Sequence, residues 1–194
     1  MGAWLCFQDE AGQGLRPPKG RTWGRTWGRR GCAPVVKVTA AGTKRVSMAA
    51  LICTKAGRRP RLIYRIHVHR GPAKGRLKGF TETDYARLLD AAHQQLGGPI
   101  VLVWDNLNTH VSHTMRRLIA ARLWLTVYHL PPYAPEFNPV EGVRSHLKRS
   151  LANLTKHNLD QLTALVKTRL KRMPYRPHLI EGLIAKTGLD LPPP

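Results

Sequence analysis

The chain has 194 residues, 42% of them hydrophobic, which is enough for one domain with a buried core. Its 32 Lys and Arg residues against 11 Asp and Glu residues give a formal net charge of +21, which indicates a polyanionic partner, with nucleic acid as the first candidate. No apolar run reaches the roughly 18 residues of a membrane span, no secretory signal opens the chain, and the cations do not line one amphipathic helix, so we expect an intracellular protein and not a membrane protein.

Three apolar runs in the first third of the chain predict β-strands. They read AWLCFQDE, RVSMAALICT and RLIYRIHVH, and residues Gly57 to Pro60 separate the last two as a hairpin turn does. The cysteines are odd in number and lack a CxxC spacing, which argues against a disulfide framework or a thiolate zinc site. We therefore expect free thiols at Cys6, Cys32 and Cys53.

The hydrophobic pattern becomes helical in the second half of the chain. From Thr81, TETDYARLLDAAHQQLGG has an N-cap, early acids and a Gly-Gly stop, which predict a helix. PIVLVWDNLNTH begins as a strand of the type buried on both faces, SHTMRRLIAAR predicts a helix, and LWLTVYHLP predicts a strand. A helix follows the Pro-rich turn and another begins near Asn158. The first of these carries one apolar face, formed by Val143, Leu147, Leu151 and Leu154.

The order of these elements, three strands followed by αβαβαα, predicts an α/β fold. Three strands joined by hairpins and then alternating helices and strands are typical of a mixed sheet covered by helices. We expect one domain that contains all of these elements.

A basic loop at residues 16–31 contains the tetrapeptide RTWG twice in a row. The loop reads RPPKGRTWGRTWGRRG, with six cations and two Trp residues. Guanidinium groups can contact phosphates and indoles can stack on unpaired bases, so this loop is a candidate nucleic-acid contact. A solvated hairpin loop whose Trp side chains pack on its base is the alternative. The candidate contacts are Arg21, Arg25, Arg29 and Arg30.

The acidic residues are few, and several of them follow apolar runs. Asp9 or Glu10 ends the first run, Asp105 ends IVLVWD, and Glu141 lies at the start of a helix that follows a neighbouring strand. Acids at the ends of neighbouring buried strands repel one another and lose hydration, so they favour a bound cation. In a basic protein, this pattern indicates a Mg²⁺ site for phosphodiester chemistry.

Each of these acids also has a purely structural explanation. Asp105 is well placed for an Asx-turn after its strand, and Asp9 and Glu10 are typical of a polar strand end before a Gly-rich loop. Asn138 with Glu141 three residues later forms a capping-box sequence, in which Asn138 accepts from free backbone N–H groups and Glu141 bonds back. The residues taken singly leave both interpretations open.

Three ordered segments carry these acids. They are FQDEAG followed by LRPPKGRTW, then VLVWDNLNTH, and then LPPYAPEFNPVEGVRSHLK, with 35 residues (106 to 140) between Asp105 and Glu141. In that order they resemble the first catalytic segment, the second-Asp strand and the Glu helix of the DDE transposases. The resemblance is to the bacterial insertion-sequence transposases related to the mariner superfamily, and it spans nearly the whole chain.

The resemblance implies an RNase H-like fold, a mixed sheet of about five strands flanked by helices, in a single domain at 1–194. It implies catalytic and metal-binding roles for Asp9, Asp105 and Glu141, with two Mg²⁺ ions that Mn²⁺ can replace. It also selects Asp9 over Glu10, and we expect Glu10 to face away from the other acids because strand side chains alternate. The implied reaction is DNA cleavage and strand transfer in transposition, a form of DNA recombination by a mobile element.

Neighbouring residues have expected supporting roles. Asn106 and His110 follow the second Asp closely and are expected to orient water or phosphate, with turn and cap hydrogen bonding as the alternative. Arg144 and Lys148 lie on the same helix face as Glu141 and are expected to contact DNA, with a Glu141–Arg144 ion pair as the alternative. Relatives usually have an aromatic residue where Arg144 stands.

The expected partners are DNA, at the element's ends and the target, and a second copy of the chain in an active homodimer. Relatives carry an N-terminal helix-turn-helix region, which we expect to be absent here and supplied, if at all, by an upstream partner chain. The expected location is the bacterial cytoplasm, at the nucleoid, without membrane contact. Two alternatives are a catalytically inactive, DNA-binding remnant of a transposon and a structure-specific RNase H-like nuclease.

Overall fold

The computed structural model describes residues 2–15, 31, 44–72, 79–132, 134–152 and 158–189. Within these ranges five strands form one sheet in the order β3-β2-β1-β4-β5. The central strand β1 is antiparallel to β2 and parallel to β4, which in turn is parallel to β5. This mixed sheet confirms the predicted fold class. The strands are β1 (Trp4–Gly14), β2 (Arg45–Lys55), β3 (Arg58–His69), β4 (Ile100–Trp104) and β5 (Leu125–His129).

Helices cover both faces of the sheet, and each face has its own hydrophobic core. One core packs α1 and α3 against one face, with Tyr85, Leu89 and Met115 fully enclosed. The other core packs α4, α5 and α6 against the opposite face, with Val143, Val166 and Ile180 enclosed. The helices are α1 (Glu82–Leu96), α2 (Asn108–Val111), α3 (His113–Ala120), α4 (Pro139–Leu151), α5 (Leu159–Arg172) and α6 (Pro177–Ala185).

Strand β1 is longer than the sequence predicted, and this changes where its acids lie. The parallel pairing of β1 with β4 ends at Phe7 and Val103, whereas the antiparallel pairing with β2 continues to Gly14. Asp9 and Glu10 were expected at the end of this strand, but they lie within it. They are still beyond the last rung shared with β4, so they stand at the carboxyl edge of the parallel half of the sheet.

Other boundaries differ from the prediction for identifiable reasons. The hairpin turn is Ala56–Gly57, with Gly57 at φ 67°, and Pro60 lies inside β3. Because β3 is an edge strand, the missing N–H of Pro60 is tolerated there. Helix α6 was not predicted, although Pro177 occupies its first turn as expected for a helix start. The predicted apolar position Leu154 lies outside the described residues.

The cysteines in the described ranges are free and buried. Cys6 on β1 and Cys53 on β2 are register partners in the core beneath α1, as the expectation of free thiols requires. Burial and the contact between them raise the pKa of the Cys6 thiol, with the Cys53 contact as the larger cause. Cys32 lies outside the described residues. Among the helices of these ranges, none has the length and apolar character needed to cross a lipid bilayer.

Candidate active site

An open cavity of about 640 Å³ lies at the carboxyl edge of the parallel strands. Asp9, Asp105 and Glu141 all line it, and all three also line an adjoining cavity of about 420 Å³ on the side of the Pro-rich turn. The structure therefore brings the three candidate carboxylates to one place. Their catalytic and metal-binding roles stay a prediction.

The register of the parallel strands brings the two aspartates together. Phe7 on β1 pairs with Val103 on β4, so Asp9 and Asp105 each stand two residues beyond the same rung. Asp105 follows directly after the last residue of β4, Trp104. Two neighbouring parallel strands thus bring their carboxylates to the same edge of the sheet.

Glu141 reaches the cavity because Asn138 fixes the start of α4 against β1. Asn138 Oδ1 accepts from Val140 N at 3.1 Å, which caps the helix, and Asn138 Nδ2 donates to Gln8 O at 2.8 Å. Gln8 is the residue after the last β1–β4 rung. The Asn138 side chain therefore donates a hydrogen bond to a backbone carbonyl of β1, one residue before Asp9 and beside the end of β4.

The predicted capping box at Asn138 and Glu141 does not form. The Asn138 N–H donates to Pro135 O at 3.0 Å, and the Glu141 carboxylate accepts from Arg144 instead of bonding back to Asn138. A complete capping box is present at α1, where Thr81 and Asp84 exchange both bonds. Asn138 is a cap, as predicted, but Glu141 is directed towards the cavity and away from the helix start.

Asp9 is more enclosed than Asp105, which is exposed. Its Oδ1 accepts from Glu10 N at 2.7 Å, while its Oδ2 is buried and finds no hydrogen-bond partner in the described part of the chain. Burial raises the pKa of Asp9 to about 7, with the nearby Glu141 carboxylate as the next cause, while Arg144 acts in the opposite direction. A buried carboxylate oxygen with no donor is the kind of group that a cation can satisfy.

Asp105 is held from one side by His110. His110 Nδ1 donates to Asp105 Oδ1 at 2.7 Å, and the same oxygen accepts from Leu107 N at 3.2 Å. The His110 bond is the main cause of a lowered Asp105 pKa. The Leu107 bond is the Asx-turn that was the structural alternative, so Asp105 makes this turn and faces the cavity as well.

His110 is itself fixed by aromatic side chains. Its ring is 1% exposed, stacks on Trp104 with centroids 4.0 Å apart, and meets Tyr85 edge-on at 4.8 Å. His110 Nε2 is buried and has no partner among the described residues. The imidazole is thus enclosed behind Asp105, and it contacts the carboxylate directly.

Asn106 bonds to the chain beside the site. Its Nδ2 donates to Leu130 O at 2.8 Å, which joins the loop after β4 to the end of β5. This matches the alternative of turn hydrogen bonding, although Asn106 also lines the smaller cavity. Its expected contact with water or phosphate stays a prediction.

Cations surround the carboxylates. Arg144 Nη1 contacts Glu141 Oε1 at 2.8 Å, which is the expected alternative ion pair, and Arg144 also lines the larger cavity. Lys148 lies one turn further along α4 and lines a small adjoining groove with Arg144. The predicted DNA contacts in the basic loop lie outside the described residues: Arg21, Arg25, Arg29 and Arg30.

Glu10 approaches the cavity from the other face of β1. Its Oε2 accepts from Tyr85 OH at 2.8 Å, which places its side chain on the α1 side of the sheet. The alternation of side chains along β1 is therefore as expected, yet Glu10 also lines the larger cavity. Burial, then the Glu10 carboxylate, raise the pKa of the Tyr85 hydroxyl, so it stays protonated and donates.

The carboxylates that line the cavity are of the chemical type that binds a hard divalent cation. Carboxylate oxygens are the ligands that Mg²⁺ prefers, and no donor among the described residues reaches the buried Asp9 Oδ2. In the described ranges no group of three Asp, Glu, His or Cys side chains is already arranged to hold a metal ion. An ion would have to compete with Arg144 for Glu141 Oε1.

The sequence did not single out several residues of this site. Lys44 and Arg45 line the cavity, but among 32 cations nothing in the sequence distinguishes them. Tyr85 lies in the helix predicted from Thr81, and the helical pattern says nothing about where its hydroxyl points. The bond from Asn138 to Gln8 joins residues 130 positions apart, and no local pattern predicts it.

The sequence of this chain matches a known protein family. Residues 5–163 match the family described as DDE superfamily endonuclease. No curated protein matches the chain.

Solved structures with the same fold include three of the Mos1 mariner transposase. The paired-end complex with Mg matches with a TM-score of 0.62 and 13% identity over 95% of this chain and 53% of that chain. The paired-end complex with Mn matches with a TM-score of 0.56 and 13% identity over 96% and 56%, and the catalytic domain with 0.51 and 12% over 96% and 83%. The likeness confirms the RNase H-like fold, and the chain spans little more than half the length of the chains in the paired-end complexes.

Proposed function

This chain belongs to the DDE superfamily endonuclease family, and from that premise we propose that it is the catalytic domain of a transposase. It would cut DNA strands at the ends of a mobile element and transfer them to target DNA with divalent cations. The observation that carries this proposal is the placement of Asp9, Asp105 and Glu141 on one cavity bordered by cations. The solved Mos1 structures with the same fold give support of a second kind, because they include complexes with a transposon end and complexes with Mg or Mn.

The cofactor of the proposed reaction is a pair of Mg²⁺ ions, with Mn²⁺ as a substitute. When bound by the three carboxylates, such ions would activate an attacking water or 3′-hydroxyl and stabilise the leaving oxygen. The chain's own groups prepare the site. His110 and Leu107 N hold Asp105 Oδ1 and so fix the direction of this carboxylate, while one buried oxygen of Asp9 accepts from no donor in the described part of the chain.

DNA binding in this proposal depends on cations around the cavity. Arg144 shares its guanidinium with Glu141, and a phosphate that entered the cavity would compete for the same donors. Lys148 extends the positive surface along α4. The loop arginines would add contacts to the same DNA: Arg21, Arg25, Arg29 and Arg30. A homodimer and a helix-turn-helix partner chain for end recognition complete the proposed assembly, at the nucleoid of a bacterial cytoplasm.

Nicking of a supercoiled plasmid tests the proposal. We expect the parent protein to relax the plasmid with Mg²⁺ or Mn²⁺ and to lose this activity in EDTA. Glu141→Gln should abolish nicking, because a neutral amide is a poor Mg²⁺ ligand. Its melting temperature should stay near that of the parent, because Glu141 forms no capping box and a half-exposed ion pair between neighbouring turns of a helix contributes only about 0.3–0.5 kcal/mol.

The matched control is Glu136→Gln, which neutralises an exposed acid in the turn just before α4. This variant should nick at the parent rate. If Glu141→Gln also nicks at the parent rate, the three-carboxylate site is wrong. If the parent binds DNA but never nicks it, the chain is an inactive remnant, and cleavage confined to branched DNA or RNA–DNA hybrids would indicate a structure-specific nuclease.

A further inference from the structure

Arg45 crosses strand β1 directly above Gly12. In the antiparallel register Arg45 pairs with Gly14, and Ser47 pairs with Gly12. Arg45 Nε donates to Ser47 Oγ at 3.1 Å, which turns the guanidinium across the neighbouring strand. A Cβ built on Gly12 would fall well inside 3.0 Å of the Arg45 guanidinium. Glycine at this position is therefore what permits the observed course of the arginine side chain.

The guanidinium of Arg45 enters the same cavity as the three carboxylates. It approaches Glu10 at 3.7 Å, which is longer than a hydrogen bond, and the other Glu10 oxygen already accepts from Tyr85 OH. The Arg45 side chain is 39% exposed. Among the described residues, the Arg45 side chain therefore has one hydrogen bond, to Ser47, and one long contact, to Glu10, and it lines the cavity.

We propose that Arg45 contacts a phosphate of the DNA strand bound in this cavity, and that Gly12 is the positioning residue that lets it do so. The inference rests on the proposed function, since it assigns the phosphate to the DNA substrate. The carboxylates that line the cavity repel a phosphate that approaches them, and the guanidinium beside them offsets that repulsion. Arginine is suited to the task because its planar fork of N–H donors matches two phosphate oxygens.

The alternative is that Arg45 only neutralises Glu10 and stabilises the sheet. In that case loss of Arg45 would lower the melting temperature and leave DNA affinity unchanged. The proposal therefore predicts a change in DNA affinity, whereas the alternative predicts a change in melting temperature.

The experiment measures binding of a labelled DNA duplex without divalent cations, over a range of salt concentrations. Arg45→Gln removes the proposed contact. Gly12→Ala keeps Arg45 but forces its flexible end to move. Gly14→Ala adds the same methyl group two residues along β1, where it meets Lys44 O at an ordinary 3.7 Å. Arg61→Gln removes an exposed arginine at the opposite end of the sheet, where Arg61 pairs with Cys53.

We expect Arg45→Gln to weaken binding about tenfold, which is the size of one charged hydrogen-bonded contact. The slope of log affinity against log salt should fall by about 0.9, the contribution of one phosphate. Gly12→Ala should reproduce both changes, while Gly14→Ala and Arg61→Gln should match the parent. The double variant Gly12→Ala with Arg45→Gln should be no weaker than Arg45→Gln alone, because both changes remove the same contact.

Equal slopes for Arg45→Gln and Arg61→Gln would overturn the proposal, because the effect would then be one of net charge. So would parent-like binding by Gly12→Ala, or a lower melting temperature of Arg45→Gln with unchanged affinity. Plasmid nicking keeps this result separate from the proposed function. If the parent protein nicks DNA and Arg45→Gln binds and nicks DNA equally well, then only the role of Arg45 is refuted. The proposed function is not affected by that result.

Discussion

Among the single residues of the site, Asp9 is a carboxylate whose charged form is disfavoured by burial. Its folded-state pKa of about 7 lies above its ordinary value of 3.8. Between these values the folded chain holds a proton that the unfolded chain has released, so the free energy of unfolding falls as pH rises from about 4 to 7. Above pH 7 the whole cost is present, and for a shift of this size it corresponds to about 4 kcal/mol.

Asp9→Asn should therefore stabilise the metal-free protein at high pH and leave it unchanged at low pH. We expect a gain of up to about 4 kcal/mol at pH 8, because the neutral amide can keep the bond from Glu10 N and carries no charge. Near pH 4 the two proteins should melt together. Thermal melting in EDTA across this pH range measures the difference.

The control is again Glu136→Gln, whose exposed carboxylate should give the same small difference from the parent at both pH values. Addition of Mg²⁺ at pH 8 should raise the melting temperature of the parent and not of Asp9→Asn, since a ligand that binds the folded state stabilises it. A stability gain that is the same at pH 4 and pH 8 would contradict the account of Asp9 as a charge buried at neutral pH.

At the scale of elements, the position of α4 depends on one amide. Asn138→Ala removes the helix cap, worth about 1 kcal/mol, and leaves the buried carbonyl of Gln8 without its donor, worth about 1–3 kcal/mol more. We expect a total loss of about 2–4 kcal/mol and slower nicking, because Glu141 is no longer held at a fixed distance from Asp9. Denaturant melts and the plasmid assay measure the two effects.

Asn158 provides the matched comparison. It caps α5 by accepting from Gln161 N at 2.8 Å, and it is exposed. Asn158→Ala should lose only about 1 kcal/mol and nick DNA at the parent rate. Equal losses of stability for Asn138→Ala and Asn158→Ala, with unchanged nicking in both, would show that the bond to Gln8 contributes nothing to the site.

Some features of β4, β1 and α4 could be predicted from the sequence, and others could not. Asp105 could be placed because IVLVW is a continuous apolar run, which a parallel strand buried on both faces requires. The continuation of β1 through EAGQG has no apolar signal, since backbone pairing with β2 sustains it. Glu141 could be placed on a helix, but its direction depends on Asn138 and Arg144, whose contacts are set by tertiary packing.

The net charge of +21 determines the kind of DNA binding that we expect from the proposed function. We predict strong, weakly sequence-selective binding that loses about a thousandfold or more in affinity between 50 and 200 mM salt, as for proteins with six or more phosphate contacts. Fluorescence titrations of unrelated duplexes at several salt concentrations measure this. Sucrose at matched osmolality is the control, because it should leave the affinity unchanged.

Affinity independent of salt, or a marked preference for one duplex sequence, would contradict this prediction. The fold class could be inferred for the whole molecule because alternating strands and helices in this order leave few arrangements. The basic loop at 16–31 could be located from its composition. Its contacts with DNA are tested by the binding measurements described above.

The position of β1 between β2 and β4 also bears on protein synthesis. Asp9 is made first, and Glu141 follows 132 positions later, on the order of 10 s at ordinary rates of translation. A nascent chain can pair β1 with β2 early, but it cannot complete the carboxylate set until α4 emerges and Asn138 reaches Gln8. A chain interrupted before α4 would therefore carry many of the cations without the complete set. Under the proposed function, such a fragment would bind DNA through these cations without cutting it, and it would then compete with the finished protein.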